Sequence, residues 1–170
     1  MLHGGEKSER SVAKWGEVGY SGAVMQRSVL LGEFAFTLDA KNRVAIPARL
    51  RPAFAEGVYL TRGFDRCLAA YPPDEWDRFV AEQTGDLPAM SEKGREIRRF
   101  LFANATFDQL DRQGRITVPA VLLGFAGLSK DVTVIGMHDH IELWDGAAWA
   151  TYRKQMEEGA DAAADQLVSQ

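Results

Sequence analysis

The sequence predicts an α+β protein that is mainly β and is built from two strand-rich repeats around one shared core. The segment Asp39–Pro47 returns 72 positions later as Asp111–Pro119. Each copy has an acid, an arginine four residues later, three apolar or β-branched residues and a proline. A unit of about 70 residues is near the lower limit for an independent core. The 170-residue chain is therefore expected to fold as one body.

The first module is predicted over residues 30–76. A strand from Leu30 to Leu38 alternates apolar and other residues, turn-forming residues follow at 39–42, and a strand resumes over 43–46. Pro47 suits the first turn of a short helix, which Pro52 keeps brief or bent. A hairpin over residues 58–71 and a helix from Asp74 complete this module.

The second module is predicted over residues 105–150 and repeats that order. A helical connector over residues 77–104 joins the modules, and its second helix spans about Ser91–Ala103. Within module 2, the hairpin turn is placed at 137–139 and the following strand at 140–144. Residues 1–29 are expected to form a disordered N-terminal extension, with Met25 as an alternative translation start. Residues 151–170 are expected to be a helix end followed by a disordered tail.

Composition excludes several classes of protein. The hydrophobic content of 46% and charged content of 26% are typical of a soluble globular chain. No apolar run approaches the roughly 18 residues that a membrane span needs. The single cysteine, Cys67, cannot form an internal disulfide or supply a multi-thiolate metal site, and this fits a reducing cytoplasm.

Net charge alone argues against nucleic-acid binding, because the chain carries −4 at pH 7. The distribution of charge weakens that objection. Lys41, Arg43, Arg49 and Arg51 lie in one short stretch with a single acid, Asp39, whereas acids cluster in the C-terminal tail. The sign of the local surface charge, and not the net charge of the chain, decides where a polyanion binds.

The repeated loops allow three interpretations. The acid and the arginine can close each loop as an ion pair, but an exposed pair contributes only about 0 to 1 kcal/mol. Alternatively, the acid orients the arginine toward a phosphate or a guanine edge. Catalysis is the third interpretation, and no Walker loop, nucleophile elbow or paired carboxylates support it. We therefore expect a protein that is not an enzyme.

The paired Leu-Asp-x-x-x-Arg-hydrophobic-x-hydrophobic-Pro motifs resemble those of the MraZ family, a bacterial family with two SpoVT-AbrB-type modules. Tyr71-Pro72-x-x-Glu75-Trp76 after the first motif and Glu142-Leu-Trp144-Asp-x-x-x-Trp149 after the second carry the same resemblance. It covers about Leu31 to Met156. The resemblance implies a pseudo-two-fold, swapped-hairpin (double-psi-like) β-barrel with flanking helices, and subunits assembled into a ring of the octamer or dodecamer class.

The resemblance also implies a function. It indicates a cytoplasmic, nucleoid-associated transcriptional repressor that binds short G-rich direct repeats in double-stranded DNA upstream of its own division and cell-wall operon. A ring agrees with direct repeats, because rotationally related modules meet successive DNA segments in the same sense. An antitoxin-like DNA-binding protein with a toxin partner, or a protein-interaction ring without DNA, are the alternatives. No cofactor is expected.

The candidate DNA-contacting residues lie in or beside the two loops, with Asp39 and Asp111 expected to orient them. They are Lys41, Asn42, Arg43, Arg49, Arg112, Gln113 and Arg115. Asn42 departs from the glycine that the family motif usually has and that Gly114 supplies in the second loop. Asparagine tolerates the same left-handed backbone region, so the loop is expected to keep its shape.

Two other candidate sites have simpler explanations. His138, His140 and Glu142 would share one face of a regular strand and could bind a metal. However, this segment is the second copy of the turn at 64–66, which contains no histidine, so no metal site is expected. Cys67 is expected to be a small core residue of a strand and not a nucleophile.

Overall fold

The computed structural model describes residues 29–168, and its side chains are described up to residue 160. The proposed start at Met25 and nearly all of the predicted extension at 1–29 lie outside the described residues. Within the described part of the chain, every helix is too short or too polar to cross a lipid bilayer.

Eight strands and four α-helices form the described fold, together with a 3-10 helix at Ala48–Phe54. The strands are β1 (Leu30–Thr37), β2 (Arg43–Ala45), β3 (Val58–Arg62), β4 (Leu68–Tyr71), β5 (Thr106–Asp108), β6 (Arg115–Thr117), β7 (Asp131–His138) and β8 (Ile141–Asp145). The helices are α1 (Pro73–Thr84), α2 (Glu92–Phe102), α3 (Ala120–Ala126) and α4 (Gly146–Val168). The predicted mixture of strands and helices is confirmed. Pro52 lies inside the 3-10 helix, which is brief as expected.

The two repeats exchange strands. Six strands form one antiparallel sheet in the order β1-β7-β8-β4-β3-β5, while β2 and β6 form a separate antiparallel pair. Strand β1 of the first repeat pairs with β7 of the second, and β5 of the second repeat pairs with β3 of the first. Neither repeat can therefore bury its own sheet without the other.

The sheet is open. Among the described residues no ladder joins the two edge strands, β1 and β5, so the expected barrel is not closed. The separate β2–β6 pair lies over one face of the six-stranded sheet and shares the main core with it. Val44, Ile46, Ile116 and Val118 from this pair and its flanks are all buried in the main core. The swapped-hairpin description stays a prediction.

We call the sheet face that packs against β2 and β6 the inner face, and the opposite side the outer face. The inner face carries residues of the main core such as Leu68 and Leu143. On the outer face, Tyr71 packs with Trp76 of α1, and Trp144 packs with Trp149 and Tyr152 of α4. The repeated tryptophan positions therefore serve packing.

Two predicted element boundaries are wrong. Cys67 is buried but precedes β4, because its carbonyl accepts a hydrogen bond from the Gly63 N–H at 2.9 Å and closes the turn. His140 precedes β8 in the same way, since its carbonyl accepts from the Met137 N–H at 2.8 Å. His138 ends β7 with a φ of 77°. The regular strand that would align the two histidines with Glu142 does not exist.

The predicted tail also differs from the structure. Helix α4 is 23 residues long and continues to Val168, where a helix end and then disorder were expected over residues 151–170. The tail is rich in alanine, which has the highest intrinsic helix propensity. Helix propensity acts regardless of whether a helix face is buried, so a polar composition does not prevent this segment from being helical.

Candidate nucleic-acid interface

The first loop is folded around the Asp39 carboxylate. Its Oδ1 accepts hydrogen bonds from the backbone N–H groups of Lys41 at 2.8 Å and Arg43 at 2.9 Å. The Asn42 N–H donates to the Asp39 carbonyl at 3.0 Å, and the Asp39 N–H donates to the Arg43 carbonyl at 3.0 Å. A short polar side chain that caps its own turn explains why aspartate begins the motif.

The second loop repeats this geometry bond for bond. Asp111 Oδ1 accepts from the Gln113 and Arg115 N–H groups, each at 2.9 Å. The Gly114 N–H donates to the Asp111 carbonyl at 2.9 Å. The sequence repeat is therefore a repeat of backbone structure as well.

The residue before each arginine adopts the left-handed backbone region. Asn42 has a φ of 58° and Gly114 a φ of 73°. Glycine pays no steric penalty there, and asparagine is among the few other residues that visit this region readily. The expectation that Asn42 preserves the loop shape is confirmed.

Both loop carboxylates are held in their charged form. The Arg43 backbone N–H is the largest cause that lowers the pKa of Asp39, and the Arg43 guanidinium lowers it further. The Arg115 N–H and guanidinium lower the pKa of Asp111 in the same way. At neutral pH each loop therefore contains an ionised acid that can fix a guanidinium.

Each acid binds one edge of its arginine. Arg43 Nε lies 2.6 Å from Asp39 Oδ2, and Arg115 Nε lies 2.8 Å from Asp111 Oδ2. The two arginine side chains are 29% and 25% exposed. Among the described residues, these bonds leave both terminal nitrogens of Arg43 without a partner. Arg43 therefore combines an ion pair at Nε with terminal nitrogens that remain free to donate.

The β2–β6 pair places the two loops side by side. Val44 lies opposite Ile116 in this antiparallel ladder. The Ile46 N–H donates to the Gly114 carbonyl and the Val118 N–H to the Asn42 carbonyl, both at 2.8 Å. The two contact points inferred from the sequence thus form one continuous surface.

A long-range ion pair crosses between the loops. Arg115 Nη1 lies 3.5 Å from Asp39 Oδ2, so Asp39 contacts the arginines of both loops. Lys41 and Arg112 are exposed nearby in the loops. Together with Arg43 and Arg115 they outnumber the two carboxylates, which gives this surface a net positive charge in an otherwise acidic protein.

The remaining candidate, Arg49, is exposed and engages β1. Its Nη2 donates to the Leu31 carbonyl at 3.0 Å, and its guanidinium carbon lies 4.7 Å from the centre of the Phe34 ring. The structure therefore shows Arg49 anchored to the edge strand of the sheet. Asn42 and Gln113, by contrast, are exposed in the loops themselves.

Arg51 has a role in the loops that the sequence did not reveal. Its Nε donates to the Ile46 carbonyl at 2.9 Å, and its guanidinium lies over Gly114 so closely that a Cβ added there would overlap it. In the sequence, the only indication that Arg51 belongs with the loops is its position in the basic stretch at 41–51. The side chain stabilises a loop from the other repeat.

Comparison with known proteins agrees with the two-repeat structure. A family model described as "MraZ protein, putative antitoxin-like" matches residues 29–100 and again residues 101–170. The chain belongs to the MraZ family. The boundary between the two family matches falls inside α2.

Curated relatives from several bacteria are similar over most of the chain, and each carries the name "Transcriptional regulator MraZ". The Roseiflexus castenholzii protein is 42% identical over 140 residues, which are 82% of this chain and 97% of the relative. A Desulfitobacterium hafniense protein is 40% identical over 141 residues, covering 83% of this chain and 98% of the relative. The Thermomicrobium roseum protein is 44% identical over 122 residues, covering 72% and 85%. These names describe regulators and not a class of enzyme.

Proposed function

We propose that this MraZ-family protein is a transcriptional regulator that binds DNA sequence-specifically and represses the operon headed by its own gene. The main observation behind this proposal is that two arginines, each held at Nε by an aspartate, lie on one positively charged surface. The names of the relatives support regulation of transcription. DNA binding rests on the geometry of the two loops.

The loop arginines would contact either base edges or phosphate groups of the DNA. A guanidinium can donate two hydrogen bonds to the O6 and N7 acceptors of guanine, or to a phosphate. Because each aspartate already fixes the Nε edge, the arginine loses less side-chain freedom when its terminal nitrogens bind. Lys41 and Arg112 would contact the phosphate backbone, with Asn42 and Gln113 as adaptable polar contacts. Arg49 would be a supporting contact at the rim.

Assembly of several subunits would strengthen the weak DNA contact that each subunit makes. Two small loops bury little DNA, but several subunits linked in a ring raise the effective concentration of each further contact. A ring of the octamer or dodecamer class would present its loop surfaces in one rotational sense and so favour direct repeats. We place the protein in the cytoplasm at the nucleoid, acting without a cofactor and without enzymatic activity.

The proposal is tested by fluorescence anisotropy with the native fragment upstream of the gene. We expect the fragment to bind about 1,000-fold more tightly than a scrambled duplex of equal length, or tighter still, since specificity ratios of DNA-binding proteins begin at about that value. Inverting one repeat should weaken binding strongly, and affinity should fall steeply with salt because counterions are released. Equal affinity for the native and scrambled duplexes would overturn the proposal.

A second candidate function is that of an antitoxin. The description of the family as antitoxin-like favours it. An antitoxin of this kind would bind DNA and also dock a toxin encoded beside it. A small toxin gene adjacent to this gene, whose product co-purifies with the chain, would support the antitoxin. If neither DNA nor a toxin binds, the loops would serve a ring that binds acidic protein surfaces.

A further inference from the structure

The outer face of the six-stranded sheet contains a cavity that is separate from the two loops. Helices α1 and α2 contact β3 at one end of this face, and α4 contacts β7 and β8 at the other. Between these helices lies an open cavity of about 250 Å³, which we call the outer cavity. The loops lie on the inner side of the sheet, so none of their residues lines this cavity.

Aromatic rings form the walls of the outer cavity. Tyr71 is buried between Phe79 at 4.8 Å and His140 at 4.6 Å, so its ring faces are already covered, whereas Phe64 and Phe100 stack on each other at 6.5 Å. Phe64 is 64% exposed and Phe100 41% exposed, so this second pair forms an open rim. Such π faces favour another ring or a cation, because the face of an aromatic ring carries partial negative charge.

The polar groups at the His140 and Glu142 end of the outer cavity are mainly hydrogen-bond acceptors, with the Tyr71 hydroxyl as a donor beside them. His140 Nδ1 lies 2.6 Å from Asp139 Oδ1, which favours the tautomer that donates from Nδ1 and leaves Nε2 as an acceptor. Trp144 Nε1 donates to Glu142 Oε2 at 2.8 Å. The other carboxylate oxygen, Oε1, lies 4.0 Å from His140 Nε2. A ligand that donates hydrogen bonds would therefore satisfy this end of the cavity.

The outer cavity also carries negative charge. Within the described part of the chain, neither Asp139 nor Glu142 forms an ion pair with a lysine or arginine. Arg62 contributes to the lining, but its guanidinium lies 4.8 Å from the Phe125 ring, which packs against the main core. Burial raises the pKa of Tyr71, and the charges of Asp139 and Glu142 raise it further. A positive group entering the cavity would face two carboxylates without competition from a fixed cation.

We propose that the outer cavity binds a small aromatic amine in its cationic form, with the ammonium group at Glu142 and the ring against Phe79 and Phe100. The volume fits this class of ligand. A cavity of about 150 Å³ holds benzene, so 250 Å³ accommodates a molecule of about ten non-hydrogen atoms. Aromatic walls with a carboxylate at one end complement a ring that carries an ammonium group.

Calorimetric titration of the full chain at pH 7 with simple probes tests the proposal. Benzylammonium should bind at least tenfold more tightly than benzyl alcohol, which has nearly the same shape but no charge. Nα-acetyl-lysine amide carries an ammonium without a ring and should bind at least tenfold more weakly than benzylammonium. Equal binding of the alcohol would show an apolar cavity only, and equal binding of the lysine amide would point to a side chain of another protein. Either result, or no binding of benzylammonium, overturns the proposal.

Substitutions locate the binding site. Glu142→Gln keeps an oxygen that can accept from Trp144 but removes the charge, so benzylammonium should bind at least tenfold more weakly while benzyl alcohol is unaffected. Glu56→Gln is the matched control, because it makes the same change on an exposed loop residue outside the cavity. If Glu142→Gln does not fold, Asp139→Asn replaces it with the same expected direction. Unchanged benzylammonium affinity in the folded cavity variant would overturn the assignment.

Discussion

The two loops share one backbone but differ in what surrounds it. Both have an aspartate that accepts two N–H bonds and an arginine held through Nε. In the second loop the left-handed position is Gly114, covered by Arg51 from the other repeat. In the first loop it is Asn42, which is exposed. The first loop thus keeps its shape through local chemistry, and the second depends on a tertiary contact as well.

The acids differ as well. Asp39 contacts Arg43 and also Arg115 of the neighbouring loop, whereas the described ion pairs of Asp111 involve Arg115 alone. A duplicated motif has therefore become asymmetric where its two copies meet. Equal sequence motifs need not contribute equally to binding or stability, and paired substitutions can measure the inequality.

The largest expected difference concerns the left-handed positions. Gly114→Ala should lower the free energy of unfolding by about 2 to 3 kcal/mol, because it adds backbone strain and displaces Arg51. Asn42→Ala should cost about 1 kcal/mol, because only the left-handed strain is added. Urea denaturation of both variants measures the difference. Equal losses would show that the Arg51 contact does not stabilise the second loop.

Substitutions of Asp39 and Asp111 should differ in how much they lower DNA specificity. Asp39→Asn should lower the ratio of operator to scrambled-duplex affinity about tenfold, because it releases two arginines, whereas Asp111→Asn should lower it about threefold. The ratio is the correct readout, since removing a negative charge strengthens binding to any DNA. Both variants make the same charge change, so each controls for the other. A larger effect from Asp111 would contradict the shared role of Asp39.

The smallest effects should come from the outer loop residues. Lys41→Ala and Arg112→Ala should each weaken binding a few-fold on operator and scrambled DNA alike, and reduce the salt slope by about 1. Gln113→Ala serves as an uncharged control and should leave the slope unchanged. Measuring anisotropy across a salt series tests this. A sequence-dependent loss at Lys41 or Arg112 would mean that the residue reads a base edge.

Local features of the fold could be predicted because their causes are local. The left-handed residue before each arginine, the ion pair within each loop and the beginning of α2 next to Ser91 follow from short-range chemistry. Ser91 indeed caps α2, since its side chain accepts from the Gly94 N–H at 3.0 Å. Alternation of apolar residues likewise predicted β1 and its partly buried Phe34 and Phe36.

Long-range features could not be predicted in the same way. The overlap of Arg51 with Gly114 and the pair between Arg115 and Asp39 depend on how β2 meets β6. No pattern within either segment specifies that pairing. The sequence places the beginnings of β4 and β8 one residue too early, because Cys67 extends the apolar run of β4 and His140 fits the polar positions beside Ile141, although the carbonyls of both residues close the turns.

The central claim is that the clamped arginines bind DNA and do not merely stabilise their loops. The most direct test measures the operator affinity and the melting temperature of Arg43→Ala and Arg115→Ala. Arg99→Ala, on the exposed face of α2, is the matched control. We predict that each loop variant binds the operator at least tenfold more weakly while its melting temperature falls by only about 2 to 4 °C. Arg99→Ala should change neither value. Normal operator binding by both loop variants would contradict the account.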